Sequence, residues 1–184
     1  MRHTILPYIP PALSRDFFNT KINIPAIANT MRVEFTLKFN KNCRYVMTGN
    51  SSIDNKDFNK CTGIKFNLFK SKKNSVMLGW RYNSSKDVIE VLPYWHRDKS
   101  KEFDELVIRD VDIEEEIQIA YTFDIKTGKC VVAISSRYIY FLDTKYFNPA
   151  CIKGKAWFIH GWFGGTSLPD QRMDFDITKR VTFA

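Results

Sequence analysis

Residues 74–96 read NSVMLGWRYNSSKDVIEVLPYWH. Val76, Leu78, Trp80 and Tyr82 alternate with Met77, Gly79 and Arg81. Beyond the polar cluster Asn83-Ser84-Ser85-Lys86, Ile89, Val91, Pro93 and Trp95 alternate with Val88, Glu90, Leu92, Tyr94 and His96. Successive side chains of a strand point to opposite faces, so period-two alternation on both sides of a turn-forming cluster predicts a β-hairpin. One face is apolar and is expected to bury. The other carries Arg81, Glu90, Tyr94 and His96 and is expected to line a binding surface.

The same alternation recurs outward from this hairpin. Residues 32–39 place Val33, Phe35, Leu37 and Phe39 on one face and Arg32, Glu34, Thr36 and Lys38 on the other; shorter strands are expected at 44–48, 63–70 and 103–109. Residues 113–123 and 129–136 flank Asp124-Ile125-Lys126-Thr127-Gly128, where an Asp opens the turn and Gly128 can take the left-handed conformation of a bulged hairpin loop. Strands at 137–142, 155–163 and 172–183 complete the series, and no stretch of ten residues has helical periodicity. Many short strands with turns between them predict an all-β fold, a two-sheet antiparallel β-sandwich (jelly roll). Residues 1–30 stand apart. They hold four of the seven prolines (Pro7, Pro10, Pro11 and Pro25), which excludes a helix and disfavours a central strand. The expected organisation is an extended N-terminal arm over 1–30 and a sandwich domain over 31–184.

A chain of 184 residues with 44% hydrophobic and 15% aromatic content can build a sizeable core. The net charge of +8 favours acidic partners, such as an anionic glycan or an acidic protein surface. Nucleic acid is not expected, because Lys70, Lys72 and Lys73 form a turn cluster without interleaved aromatics. No apolar run reaches the length of a membrane span. The N-terminal apolar patch is broken by Pro7, Pro10 and Pro11 and makes a poor signal-peptide core, so the expectation is cytosolic synthesis, with incorporation into a virion if the chain leaves the cell. Cys43, Cys61, Cys130 and Cys151 form no CxxC pair, and His3, His96 and His160 are scattered. No metal or other cofactor is therefore expected, and the thiols read as small apolar side chains.

Candidate chemistry is sparse. Asp110, Asp112 and Glu114 alternate and would share one strand face, and Glu102, Asp104 and Glu105 precede them. The run Glu102-Phe103-Asp104-Glu105 resembles the start of the acidic motif of laminarinase-type glucanases, which need a second Glu where Leu106 and Val107 stand. Arg32-Val33-Glu34, Gln118-Ile119-Ala120 and Tyr138 or Tyr140 resemble fragments of the Arg, Gln-Ile-His and tyrosine motifs of alginate-lyase-like jelly rolls, with Ala120 in the histidine position. No catalytic residue is assigned on these fragments. A glycan platform is expected from Arg81, Tyr94 and His96 on the hairpin together with His160 and Trp162 on strand 155–163, since rings stack on pyranose faces and polar groups satisfy hydroxyls. The ending Trp162-Phe163-Gly164-Gly165, with Pro169 before a final alternating strand, resembles that of concanavalin-like jelly-roll proteins, including small sandwich proteins of gut bacteria and their phages.

Three functions stay open. The first is a non-enzymatic module of a larger assembly, such as a virion head or tail accessory protein, that contacts glycans and binds other subunits through Pro7, Tyr8, Pro10 and Pro11 of the arm. The second is a carbohydrate-active enzyme of the polysaccharide-lyase kind. The third is a free lectin-like carbohydrate-binding protein.

Overall fold

The computed structural model describes residues 2–5, 21–67, 73–98, 100–162 and 173–184, with side chains described from residue 21 onward apart from those of His160 and Trp162. The strands are β1 (Arg2–Ile5), β2 (Lys21–Asn23), β3 (Thr30–Phe39), β4 (Asn59–Lys65), β5 (Ser75–Asn83), β6 (Val88–Arg97), β7 (Ser100–Glu102), β8 (Arg109–Val111), β9 (Glu116–Asp124), β10 (Lys129–Ser135), β11 (Tyr140–Tyr146), β12 (Lys155–Trp162) and β13 (Met173–Phe183). One sheet runs β1-β13-β3-β9-β10-β11, and the other runs β2-β12-β4-β5-β6-β7 with β8 also paired to β6. Every pairing among the described residues is antiparallel, as in a two-sheet sandwich. Residues 2–5 and 21–23, within the expected arm, pair with β13 and β12. Pro7, Tyr8, Pro10 and Pro11 lie outside the described residues.

The hairpin of residues 74–96 forms β5 and β6 in continuous register from Ser75 opposite His96 to Asn83 opposite Val88. Val76, Leu78, Trp80, Ile89, Val91 and Trp95 face the other sheet and are completely buried. Burying one such side chain contributes about 1.5–3 kcal/mol. Trp80 lies 5.1 Å from the Phe39 ring and 6.0 Å from Tyr45, while Phe66 packs edge-on against Phe123 at 5.1 Å. The Trp95 indole N–H donates to Asp143 Oδ2 at 2.8 Å, which satisfies a donor that burial would otherwise orphan. Pro93 falls between the stretches of β6 that pair with β8 (89–91) and with β7 (95–97), consistent with proline's confinement to interrupted edges.

The second hairpin forms as its turn residues dictate. Asp124 Oδ1 accepts from the backbone N–H groups of Lys126 and Thr127, both at 2.9 Å, and those hydrogen bonds hold its carboxyl below the ordinary aspartate range. Gly128 sits at φ +77°, and a Cβ there would lie 2.0 Å from the Phe147 carbonyl oxygen.

Several expected strands differ; the one expected at 137–142 lies at Tyr140–Tyr146 as β11. Residues 44–48 alternate, with Tyr45 and Met47 buried, yet pair with no strand among the described residues. The Asn55 side chain instead satisfies both the N–H and the C=O of Met47 at 2.8 Å, so the segment caps the core as extended chain. Residues 103–109 contain a 3-10 helix at Glu105–Val107, whose N-cap Asp104 accepts from Leu106 N–H. The strand expected at 63–70 is β4, which starts earlier, at Asn59. All four cysteines are free thiols.

Candidate functional site

The outer face of the β1-β13-β3-β9-β10-β11 sheet carries a groove of about 520 Å³. Register builds it row by row. One row runs Arg180, Glu34, Ala120, Ala133, Leu142; the next runs Thr178, Thr36, Gln118, Ser135, Tyr140. Ala120 and Ala133 leave a low floor at mid-sheet, while the long side chains of Arg32, Arg180 and Tyr140 stand around it. Small central residues and large flanking ones thus make a depression of a face that would otherwise be flat. Tyr140 is 73% exposed, so its ring is free to stack.

The groove is polar and its charges are lightly held. Arg32 Nε donates to Glu34 Oε1 at 2.9 Å and Arg32 Nη1 to Thr122 Oγ1 at 3.3 Å. Both members of the ion pair are exposed, so it contributes little stability and its groups can turn to a ligand at small cost. Among the described lining residues there are two arginines and one lysine against one carboxylate, Glu34, and there is no histidine. No group of three described His, Cys, Asp or Glu residues could hold a metal ion.

The hairpin residues expected to form a glycan platform lie on the outer face of the opposite sheet, and they are covered. Tyr94 and His96 are each 5% exposed. Phe103 stacks on Tyr94 at 5.2 Å and 17°, and Lys60 Nζ lies 4.3 Å over the same ring. Burial raises the Tyr94 hydroxyl above its usual pKa. His96 packs edge-on to Tyr94, with Nδ1 3.4 Å from Ser75 Oγ. The cover is segment 103–108 with Phe58, which forms a second small core with Met77, Leu92, Tyr94 and Ile159. Arg81 donates to Glu90 Oε2 at 2.6 Å and lies 4.4 Å over Phe58, so it is a structural ion pair. His160 and Trp162 follow Ala156 and Phe158 at alternate positions of β12; the latter two are in the core, and the side chains of the former pair are outside the described residues.

Asp110, Asp112 and Glu114 do not share a strand face. β8 ends at Val111, Asp110 pairs with Lys86 at 3.0 Å, and Glu114 occupies a turn at φ +69°. By contrast Arg32, Glu34, Gln118, Ala120 and Tyr140, scattered over more than a hundred residues of sequence, line one groove. Tyr138 is exposed on the loop before β11, with the Arg137 guanidinium 5.2 Å over its ring, and is not part of that lining. The exposed alternation Tyr140, Leu142, Tyr146 on β11 was the available sequence signal for the aromatic wall.

No protein-family model and no curated protein matches the sequence. Solved structures do resemble the fold. A xylan β-1,4-xylosidase from Bacillus halodurans C-125 superposes with a TM-score of 0.52 at 9% identity, covering 89% of this chain and 29% of that one. The fold is a two-sheet antiparallel β-sandwich of the jelly-roll kind. Peanut lectin in complex with a 9mer peptide (TM-score 0.49, 9% identity, 99% and 98% of the two chains) and the CBM2 module of an evolved Dit of Lactobacillus casei BL23 phage J-1 (TM-score 0.49, 9% identity, 89% and 68%) are also similar. The present chain spans less than a third of the xylosidase. At this identity the likeness concerns the jelly-roll fold alone.

Proposed function

We propose that this jelly roll is a carbohydrate-binding module that takes an acidic glycan in the outer groove of the β1-β13-β3-β9-β10-β11 sheet. The observation that carries the proposal is that exposed Tyr140 on β11, Gln118 on β9, Arg32 on β3 and Arg180 on β13 line one groove across a floor of two alanines. A pyranose ring stacks on the tyrosine, the amide and hydroxyl groups meet its hydroxyls, and the two guanidinium groups meet carboxylate or sulfate in fork geometry. The net charge of +8 draws a polyanionic chain towards the surface.

The test is affinity electrophoresis and calorimetry against a polyuronate, a sulfated glycan and a neutral glucan. Binding to the acidic polymers, weakened by roughly tenfold or more in Tyr140→Ala and in Arg180→Ala, is the expected result; the magnitude is that of one stacking or charge-assisted contact. Equal binding of the neutral glucan, or unchanged affinity in both variants, overturns it.

The co-location of Arg32, Gln118 and Tyr140 also favours a second function, polysaccharide β-elimination in the same groove. Elimination needs a base within hydrogen-bond reach of the proton removed. Ala120 stands where the lyase resemblance puts a histidine, which leaves Tyr140 as the candidate. A rise in ultraviolet absorbance from an unsaturated uronate, abolished in Tyr140→Phe, is its test. The larger role we propose is membership of an assembly such as a virion, with Pro7, Tyr8, Pro10 and Pro11 contacting a neighbouring subunit. The proline content of residues 1–30 supports it. Light scattering checks it: an oligomer that becomes monomeric when those four residues are replaced by serine.

A further inference from the structure

A second cavity, about 240 Å³, opens between the two sheets where β13 and β3 face β12 and β4. Its walls are apolar, with Phe35, Phe158, Phe175 and Ile177 prominent among them. Three polar side chains, Thr62, Thr178 and Lys179, break that lining, and two of them depart from the pattern of their own strands. Lys179 continues the inward row of β13 after the buried Phe175 and Ile177 and stands opposite Phe35, but is itself exposed, at the edge of the core. Its Nζ lies 4.1 Å over the Phe158 ring, and desolvation there lowers the amine below the ordinary lysine range. Thr62 is 1% exposed, lines the same cavity, and its Oγ1 is buried without a hydrogen-bond partner.

The orphan hydroxyl has a backbone cause. The β4–β5 register shifts between Lys60 and Gly63, so two residues, Cys61 and Thr62, stand where the regular ladder would place one. Both line the cavity. Gly63 follows at a point where a Cβ would lie 2.2 Å from the Val76 carbonyl oxygen, so only glycine accepts the irregularity. A buried, unpartnered hydroxyl is costly to keep, and bulges that re-aim a side chain cluster beside binding sites.

We propose that this inter-sheet cavity is a binding site for a small aryl-alkyl carboxylate, with its ring among Phe35, Phe158 and Phe175, its carboxylate on Lys179 and a ring hydroxyl on Thr62 Oγ1. The volume suits a ligand of this size: at about 30 Å³ per water it has room for roughly eight waters. An apolar body covers the phenylalanine rings, and an anionic head pairs with Lys179 Nζ at the exposed edge of the cavity. The cavity adjoins the outer groove, sharing Phe35, Thr178 and Lys179 with it, while Cys61, Thr62, Phe158 and Phe175 line the cavity and not the groove; the proposal does not depend on the groove's function.

The probe is 3-(4-hydroxyphenyl)propionate, titrated into the full-length protein and followed by amide NMR shifts. We expect saturable shifts centred on residues 61–62, 158–161 and 177–179 with a single dissociation constant, while groove residues 118–122 stay still. Lys179→Met should weaken the probe roughly tenfold or more, the size of a charge-assisted hydrogen bond, and leave 3-(4-hydroxyphenyl)propanol unaffected. Thr62→Val, which keeps the shape, should weaken the hydroxylated probe relative to 3-phenylpropionate. Each variant's spectrum reports whether it is folded. Shifts that do not saturate, shifts centred on the groove, or a Lys179→Met variant that binds acid and alcohol as the native protein does would each overturn the proposal.

Discussion

Replacing Arg81 by Met separates a structural role for this residue from a role in ligand binding. Glu90 is 5% exposed, and its carboxylate is held by Arg81 Nε at 2.6 Å and Asn83 Nδ2 at 2.7 Å, with Lys86 Nζ further off at 3.8 Å. Burial by itself would raise the Glu90 carboxyl, but the hydrogen bonds from Asn83 and Arg81 outweigh it and hold the group below its ordinary value. Removing one partner of a buried pair costs about 3–5 kcal/mol, because the remaining charge stays desolvated. Here Asn83 and Lys86 persist and the Arg81 side chain is 19% exposed, so the expected loss at pH 7 is smaller, about 2–3 kcal/mol. The sign of the pH dependence follows. In the native protein the depressed carboxyl stabilises the fold above its unfolded pKa, and that contribution is lost as pH falls through the lower folded value. In Arg81→Met the buried carboxylate is under-partnered, its pKa rises, and acid protonates it and relieves the cost. Urea unfolding at pH 7 and pH 4 should therefore show a gap between native and variant that narrows in acid. A loss below about 1 kcal/mol at pH 7, or an equal gap at both pH values, would refute the charge argument and leave Arg81 as packing on Phe58 and a donor to the Lys56 carbonyl.

Two further outcomes are expected. Gly63→Ala should destabilise the protein by roughly 3 kcal/mol or more, because the new methyl meets backbone of β5, which a sheet interior cannot move aside; thermal unfolding checks it, and an unchanged midpoint would show that the bulge relaxes. A thiol reagent at pH 8 should titrate Cys151 in the folded protein and all four cysteines in denaturant. Cys43, Cys61 and Cys130 are buried, and burial pushes the Cys43 thiol up to about 12 and the other two well above their usual value. Rapid native reaction of more than one thiol would contradict this burial.

The two hairpins were legible because their signals are local. Alternation in 76–82 and 88–96 and the Asp124–Gly128 loop specify strand, turn and register without reference to the rest of the chain. Where the local signal was the same but the outcome differed, a competing contact decided. Residues 44–48 alternate like a strand, yet Asn55 takes the backbone groups that a neighbouring strand would have used.

The class of fold, its antiparallel character and which face of β3 and β5 is apolar were thus determined by sequence, since the side-chain period and turn chemistry act over a few residues. Which outer face stays open was decided by tertiary structure alone. Tyr94 and His96 have the pattern of a solvent-facing row, but segment 103–108 folds back over Tyr94, and His96 packs edge-on against the same ring and is buried. Arg32, Gln118 and Tyr140 become a site only because β3, β9, β10 and β11 lie side by side in this order and register. Covering and juxtaposition depend on long-range pairing, and no local period records that.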